Sequence, residues 1–211
     1  MPTVRNHVKV SACMILMLAA GAVMAQSLQP TEGKNLARGK ACSFDPQPSY
    51  PDCTDKGDPF DLTDGLYNGC LWIEKGTVGL MPGYGWNVET MPIPLIDIDL
   101  GDTQPIGQVT LSSITGSGGV TFPLAVRVFV STDAKHYDLL CDIHTESIPQ
   151  DKLLNHRFVA QDLKGWGRYV RFALLPGGPM IFFDEIEIMA GTHTRAEARR
   201  LNSRSVPAHM V

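Results

Sequence analysis

Short runs that alternate apolar and polar residues recur along this chain, and they restrict its fold more than any other feature. Residues 95–100 read LIDIDL, with Ile96, Ile98 and Leu100 on one face and Asp97 and Asp99 on the other. Residues 125–130 read AVRVFV, where Val126, Val128 and Val130 alternate with Arg127. YVRF at 169–172 and IFFDEIEI at 181–188 continue the pattern, the latter setting Ile186 and Ile188 against Glu185 and Glu187. Successive side chains of a strand point to opposite faces, so each run predicts a half-buried strand. Val109–Leu111, after a turn at Gly101-Asp102, and Tyr137–Cys141 add two shorter ones. Further turn clusters lie at 116–119, 131–133 and 176–179. No long stretch of 3.6-residue period competes in the body, so the chain reads as all-β, a sandwich or barrel.

The first 25 residues read differently. Arg5 and Lys9 precede an apolar run, and Val23 and Ala25 stand at the minus-three and minus-one positions before Gln26. This is the layout of a cleaved export signal, and the run is shorter than the ~20 apolar residues of a membrane span. The expected organisation is a signal over 1–25, a linker over 26–32, one β domain over 33–190 and a basic tail over 191–211. That tail is mobile or forms a short helix in TRAEARRL. The expected location is periplasmic or extracellular.

Beyond the signal there are sixteen basic and twenty-two acidic side chains, a net charge of −6. The tail contributes +3, which leaves the body at −9. An acidic body argues against nucleic acid as a partner and suits neutral ligands and divalent cations. Four cysteines remain once Cys13 is removed: Cys42, Cys53, Cys70 and Cys141. An even number in an exported chain suggests two disulfides, with Cys42–Cys53 and Cys70–Cys141 preferred among three pairings. Buried free thiols are the alternative.

No catalytic motif stands out. There is no HExxH, GxSxG, Walker loop or CxxC, and the histidines lack metal-ligand spacing. Asp97 with Asp99, and Glu185 with Glu187, are the carboxylate pairs a hydrolase would need. Each pair occupies one strand face, and the reading taken is that the chain is not an enzyme. The stretch 49–71 is long, irregular and rich in glycine, proline and aspartate, next to an expected disulfide, and it runs into FDLTDGLYNGCLW at 60–72. Its Asp64-Gly65 is a turn signal, and its carbonyls and carboxylate are hard oxygen donors of the kind calcium takes.

The ordered set of segments resembles the discoidin, or coagulation-factor type C, domains. NLARGKA at 35–41 resembles their opening strand, and LTDG followed by Trp72 their DG-to-W loop. PLIDIDLG at 94–101 resembles the strand ending in DLG. VRVFVSTDAKHYDLL at 126–140 resembles a characteristic hairpin, with Ala134 where glycine is usual. GRYVRF and FDEIEI resemble the closing strands. The resemblance implies a galactose-binding-like jelly-roll β-sandwich of about eight antiparallel strands. It also implies a non-catalytic module that binds carbohydrate, with protein or phospholipid surfaces, or a structural role in an envelope assembly, as alternatives.

From the resemblance, a structural calcium would be held by Asp64, Glu185 and carbonyls around Leu62 and Tyr67. Leu66 and Gly69, just after the DG, add no side-chain oxygen. The ligand surface would lie on loops at one end of the sandwich. The 79–92 segment, GLMPGYGWNVETMP, supplies Tyr84, Trp86, Asn87 and Glu89, an aromatic platform with polar neighbours for a neutral or galactose-like glycan. A loop that merely caps the barrel end is the alternative. Arg127 could reach a ligand from the strand face or form an ion pair there. A lipid-binding module would instead expose apolar spikes, for which Leu80-Met81 is the candidate pair.

Overall fold

The computed structural model describes residues 29–68, 76–81, 92–116, 118–145, 154–198 and 206–207. The elements are β1 (Cys42–Asp45), a single helical turn α1 (Asp58–Asp61), β2 (Val78–Leu80), β3 (Leu95–Thr115), β4 (Ala125–Ser131) and β5 (His136–His144). They continue with β6 (Leu154–Ala160), β7 (Gly165–Leu175), β8 (Ile181–Ala190) and β9 (Val206–Pro207). All strand pairs between these elements are antiparallel. Two layers form: β1-β3-β7-β4-β5-β9 and β6-β3-β8-β2.

β3 belongs to both layers. Its first half pairs with β1 and β7, and its second half with β6 and β8. The expectation of a turn and a new strand after Leu100 is therefore corrected. Gly101 takes φ +89°, the register slips between Asp99 and Gln104, and the chain stays extended while it bends from one sheet to the other. A bulge carrying a glycine at positive φ lets a strand turn a sandwich corner without breaking.

The alternating residues meet between the layers. Ile96, Ile98, Val126, Val128, Val170, Phe172, Ile186 and Ile188 belong to one main cluster and are almost fully buried. A side chain of this size contributes roughly 1.5–3 kcal/mol on full burial, so the inward phase of the strands fixes the register. A smaller cluster of Cys53, Ile114, Val120 and Phe182 is separate from it. A third, of Phe129, Tyr137 and Ala173, lies apart from both. Leu80 is fully buried in the main core, so it is not an exposed spike.

Cys42, Cys53 and Cys141 are free thiols, which corrects both expected disulfides. Cys42 alternates inward on β1 into the main core, whereas Cys53 sits in the smaller cluster, so the two do not face each other. Cys141 packs against the main core from β5. Burial pushes the Cys42 and Cys141 thiols up to about 12 and Cys53 to about 11, leaving them inert at neutral pH. Cys70 lies outside the described residues.

Candidate functional site

The strands that flank the 79–92 segment, the candidate ligand loop, meet at one end of the sandwich. Leu80 pairs with Ile181 and Leu95 with Asp45 and Ala173, so the 81–94 connection starts and finishes there. The 116–124 and 176–180 turns form part of the same end. Thr121 N–H donates to the Met180 carbonyl at 3.0 Å, and Leu124 N–H to Leu175 at 2.8 Å. Tyr84, Trp86, Asn87 and Glu89 lie outside the described residues. Arg127, two residues into β4 from this end, is exposed and pairs with Asp142 on β5 at 3.2 Å.

The DG turn sits elsewhere, over the middle of β8. Asp64 Oδ1 accepts the Leu66 N–H at 2.8 Å, a self-closed aspartate turn. Gly65 takes φ +71°, and a β-carbon there would fall 1.0 Å from Arg38 Nη1, so only glycine fits. The Gly65 N–H donates to Glu185 Oε2 at 2.9 Å. Glu185 is fully buried, and its Oε1 has no hydrogen-bond partner. Burial, then the neighbouring Asp64 and Glu187, push its carboxyl up to about 9. The orphaned Oε1 beside the Asp64 carboxylate fits a hard cation. The Leu62 carbonyl already accepts the Ile186 N–H at 2.6 Å and keeps one lone pair. Tyr67 stacks its ring under the Arg157 guanidinium at 5.4 Å, with its buried hydroxyl pushed up by desolvation and by Glu187.

Glu187, the next outward position on β8, is also buried but well partnered. It accepts Arg157 Nη2 at 2.8 Å, the Thr31 N–H at 2.7 Å and the Thr31 hydroxyl. The outward phase of β8 thus lies under the N-terminal segment and the 62–68 loop. Asp97 and Asp99, on β3, have the opposite fate. Arg171 Nε and Nη2 fork Asp97 at 2.6 and 2.7 Å, and Arg168 forks Asp99 with both bonds at 2.7 Å.

The structure also brings together three aspartates not singled out in the sequence. Carboxylate oxygens of Asp55, Asp58 and Asp61 all lie within 4.8 Å of one another. Their spacing of three along the chain, across a turn that leads into α1, is the signal that could have found them. Asp58 Oδ1 accepts the Asp55 N–H at 2.9 Å and Asp55 Oδ1 the Gly57 N–H at 2.6 Å. Burial, Asp55, Asp58 and Asp64 raise Asp61 to about 6. No helix among the described residues is long and apolar enough to cross a membrane.

No protein-family model matches the chain, and no curated protein does. Solved structures do. A chitosan-binding module derived from a chitosanase/glucanase of Paenibacillus sp. IK-5 superposes with TM-score 0.52 at 15% identity, over 76% of this chain and 100% of that one. The module CpGH89CBM32-5 of Clostridium perfringens, solved in complex with GalNAc-β-1,3-galactose, gives 0.50 at 15% identity, over 74% and 100%. The chain shares the β-sandwich fold of these two modules. Its shape spans the whole of each module, and it accounts for the order of motifs from NLARGKA to FDEIEI.

Proposed function

We propose that this chain is an exported, non-catalytic carbohydrate-binding module that takes a neutral or galactose-like glycan on the loops at the 81–94 end of its sandwich. The observation that carries the reading is the fold itself, matched over the full length of two modules whose names state glycan or chitosan binding. The carboxylates support it from the other side. Asp97 and Asp99 are each forked by arginine, and Glu187 is held by Arg157 and Thr31. None of them is poised as the acid and base of a glycosidase.

Calcium belongs to the same proposal. Glu185 Oε1 and Asp64 would hold it, with backbone oxygens of the DG turn, and it would tie the 62–68 loop to β8. Tyr84, Trp86, Asn87 and Glu89 would make the platform, with Arg127 at its margin.

A glycan array probed with residues 26–211, with and without chelator, tests the reading. Binding to neutral glycans with terminal galactose-class sugars is expected, together with a lower melting temperature in chelator. An array with no binding at any glycan overturns the carbohydrate assignment. An unchanged melting temperature removes the calcium.

A further inference from the structure

Two concavities of about 350 Å³ lie away from the end loops. One, beside Gln108, Lys164 and His193, is lined by no tyrosine, tryptophan or phenylalanine, and its His193 is spent on the Gly165 carbonyl at 2.7 Å. The other is built differently. It lies on the outer face of the β1-β3-β7-β4-β5 layer, with Asp97, Asp99, Tyr169 and Arg171 as its floor. Ala41 and the β1 residue Ser43 form one wall, and Ala134 and Tyr137 of the β4–β5 hairpin the other.

We propose that this groove is a second saccharide-binding site, which takes a neutral sugar ring on the sheet face rather than at the loop end. The floor is locked before any ligand arrives. The Asp97–Arg171 fork joins β3 to β7, and the Arg171 guanidinium lies 4.6 Å from the Tyr137 ring. The Asp99–Arg168 fork repeats the arrangement one step along, with Arg168 at 4.9 Å from the Tyr169 ring. Asp99 and Arg168 are 44% and 39% exposed, so the second fork presents its outer edge to solvent. Asp99 Oδ2 spends one lone pair on Arg168 and keeps another.

The charge decides the ligand class. Each fork is internally neutral, so the floor selects neither an anion nor a cation. It offers the remaining lone pair of Asp99 Oδ2 and the exposed Ser43 hydroxyl, held in place by the locked forks beside the half-buried Tyr169 ring. Ring hydroxyls donate to such acceptors, and a sugar's C–H side packs on the face of an aromatic ring. The volume is at the low end for a ligand site, enough for one or two sugar units. Pre-organisation lowers the ordering cost of binding, which suits a shallow site of about millimolar affinity.

Ala134 explains why the wall stands where it does. It adopts φ +59° at the hairpin tip, where Asp133 Oδ1 accepts the Lys135 and His136 N–H groups at 2.8 and 2.9 Å and the Ser131 hydroxyl oxygen accepts that of Ala134 at 3.0 Å. This hydrogen-bonded tip holds a fixed shape over the groove.

The test is a nitrogen-15 NMR titration of residues 26–211 with galactose, GalNAc-β-1,3-galactose and chitosan oligomers. It is run on wild type, on Trp86→Ala, and on two groove variants, Ser43→Trp and Asp99→Asn. Ser43 is an exposed strand position, so tryptophan there fills the groove without removing a structural contact. Saturable shifts of the Ser43, Ala134 and Tyr169 amides are expected with at least one saccharide. They should persist in Trp86→Ala and weaken at least tenfold in both groove variants. The proposal is overturned if these amides do not move, or move equally in Ser43→Trp. Movement only with a charged sugar phosphate added as control also overturns it. End-loop amides report independently, so loss of the groove site and loss of the loop site are distinguishable.

Discussion

The outer faces of the two layers start from the same kind of sequence and end in opposite environments. On β3, IDID places Asp97 and Asp99 outward, where arginines of the neighbouring strand fork them at the surface. On β8, EIEI places Glu185 and Glu187 outward, yet both are essentially inaccessible. The difference lies in what covers the sheet. The 29–35 and 62–68 segments cover the outer face of β8, with Thr31 N–H bonded to Glu187 Oε1 at 2.7 Å and Asn68 N–H to Asp184 Oδ2 at 3.0 Å. No such segment among the described residues crosses Asp97 and Asp99. Strand alternation decides which face a residue takes, and chain topology decides whether that face is wet.

This contrast predicts a ranking. The largest effect is expected for Arg157→Met, which leaves Glu187 buried without its cation. A loss of about 3 kcal/mol, read by urea denaturation, follows from the cost of an uncompensated buried charge. A loss as small as that of a surface pair would mean that the cover over β8 is loose.

Next comes Glu185. Its carboxyl is raised in the folded state, so from its ordinary range up to about pH 9 the unfolded chain releases a proton that the folded chain keeps. Stability in chelator therefore falls as pH rises through that window and levels off above it. Glu185→Gln, neutral throughout, should flatten the fall. At pH 8 its melting temperature in chelator should exceed wild type by several degrees, and added calcium should reverse the order. Parallel pH-dependent melts in wild type and variant would contradict the buried, protonated carboxyl.

The surface forks rank lower. Asp97→Asn should cost about 1 kcal/mol, because Arg171 is itself mostly buried, and Asp99→Asn about half of that. Arg127→Ala, at a 67%-exposed side chain, should leave stability unchanged in the same denaturation experiment. An Asp99→Asn cost equal to that of Arg157→Met would erase the distinction between the two faces.

Much of the fold was legible because its signals are local. Period two marked β4, β7, β8 and the first half of β3, and the turn cluster at 131–133 marked the hairpin. The continuity of β3 through Gly101 was not legible, because a glycine–aspartate pair reads alike in a turn and in a bulge. The disulfides misled for a related reason. Cysteine count reports compartment, whereas pairing depends on which cluster each thiol joins, and Cys42 and Cys53 join different ones. The DG turn was found from its residues, but the burial of Glu185 beneath it depends on a contact 120 residues apart in sequence. The sheet-face groove was hidden for the same reason. Ser43, Asp99, Ala134 and Tyr169 come from four separate segments that only the finished sandwich brings together.

The central claim is that the end loop carries the glycan. Its most direct test is calorimetric titration of the strongest array ligand into wild type and Trp86→Ala, each first shown to be folded by its melting curve. At least a tenfold weaker affinity in Trp86→Ala is the expected result. Equal affinities in the two proteins would contradict the account and remove the 81–94 end as the site of recognition.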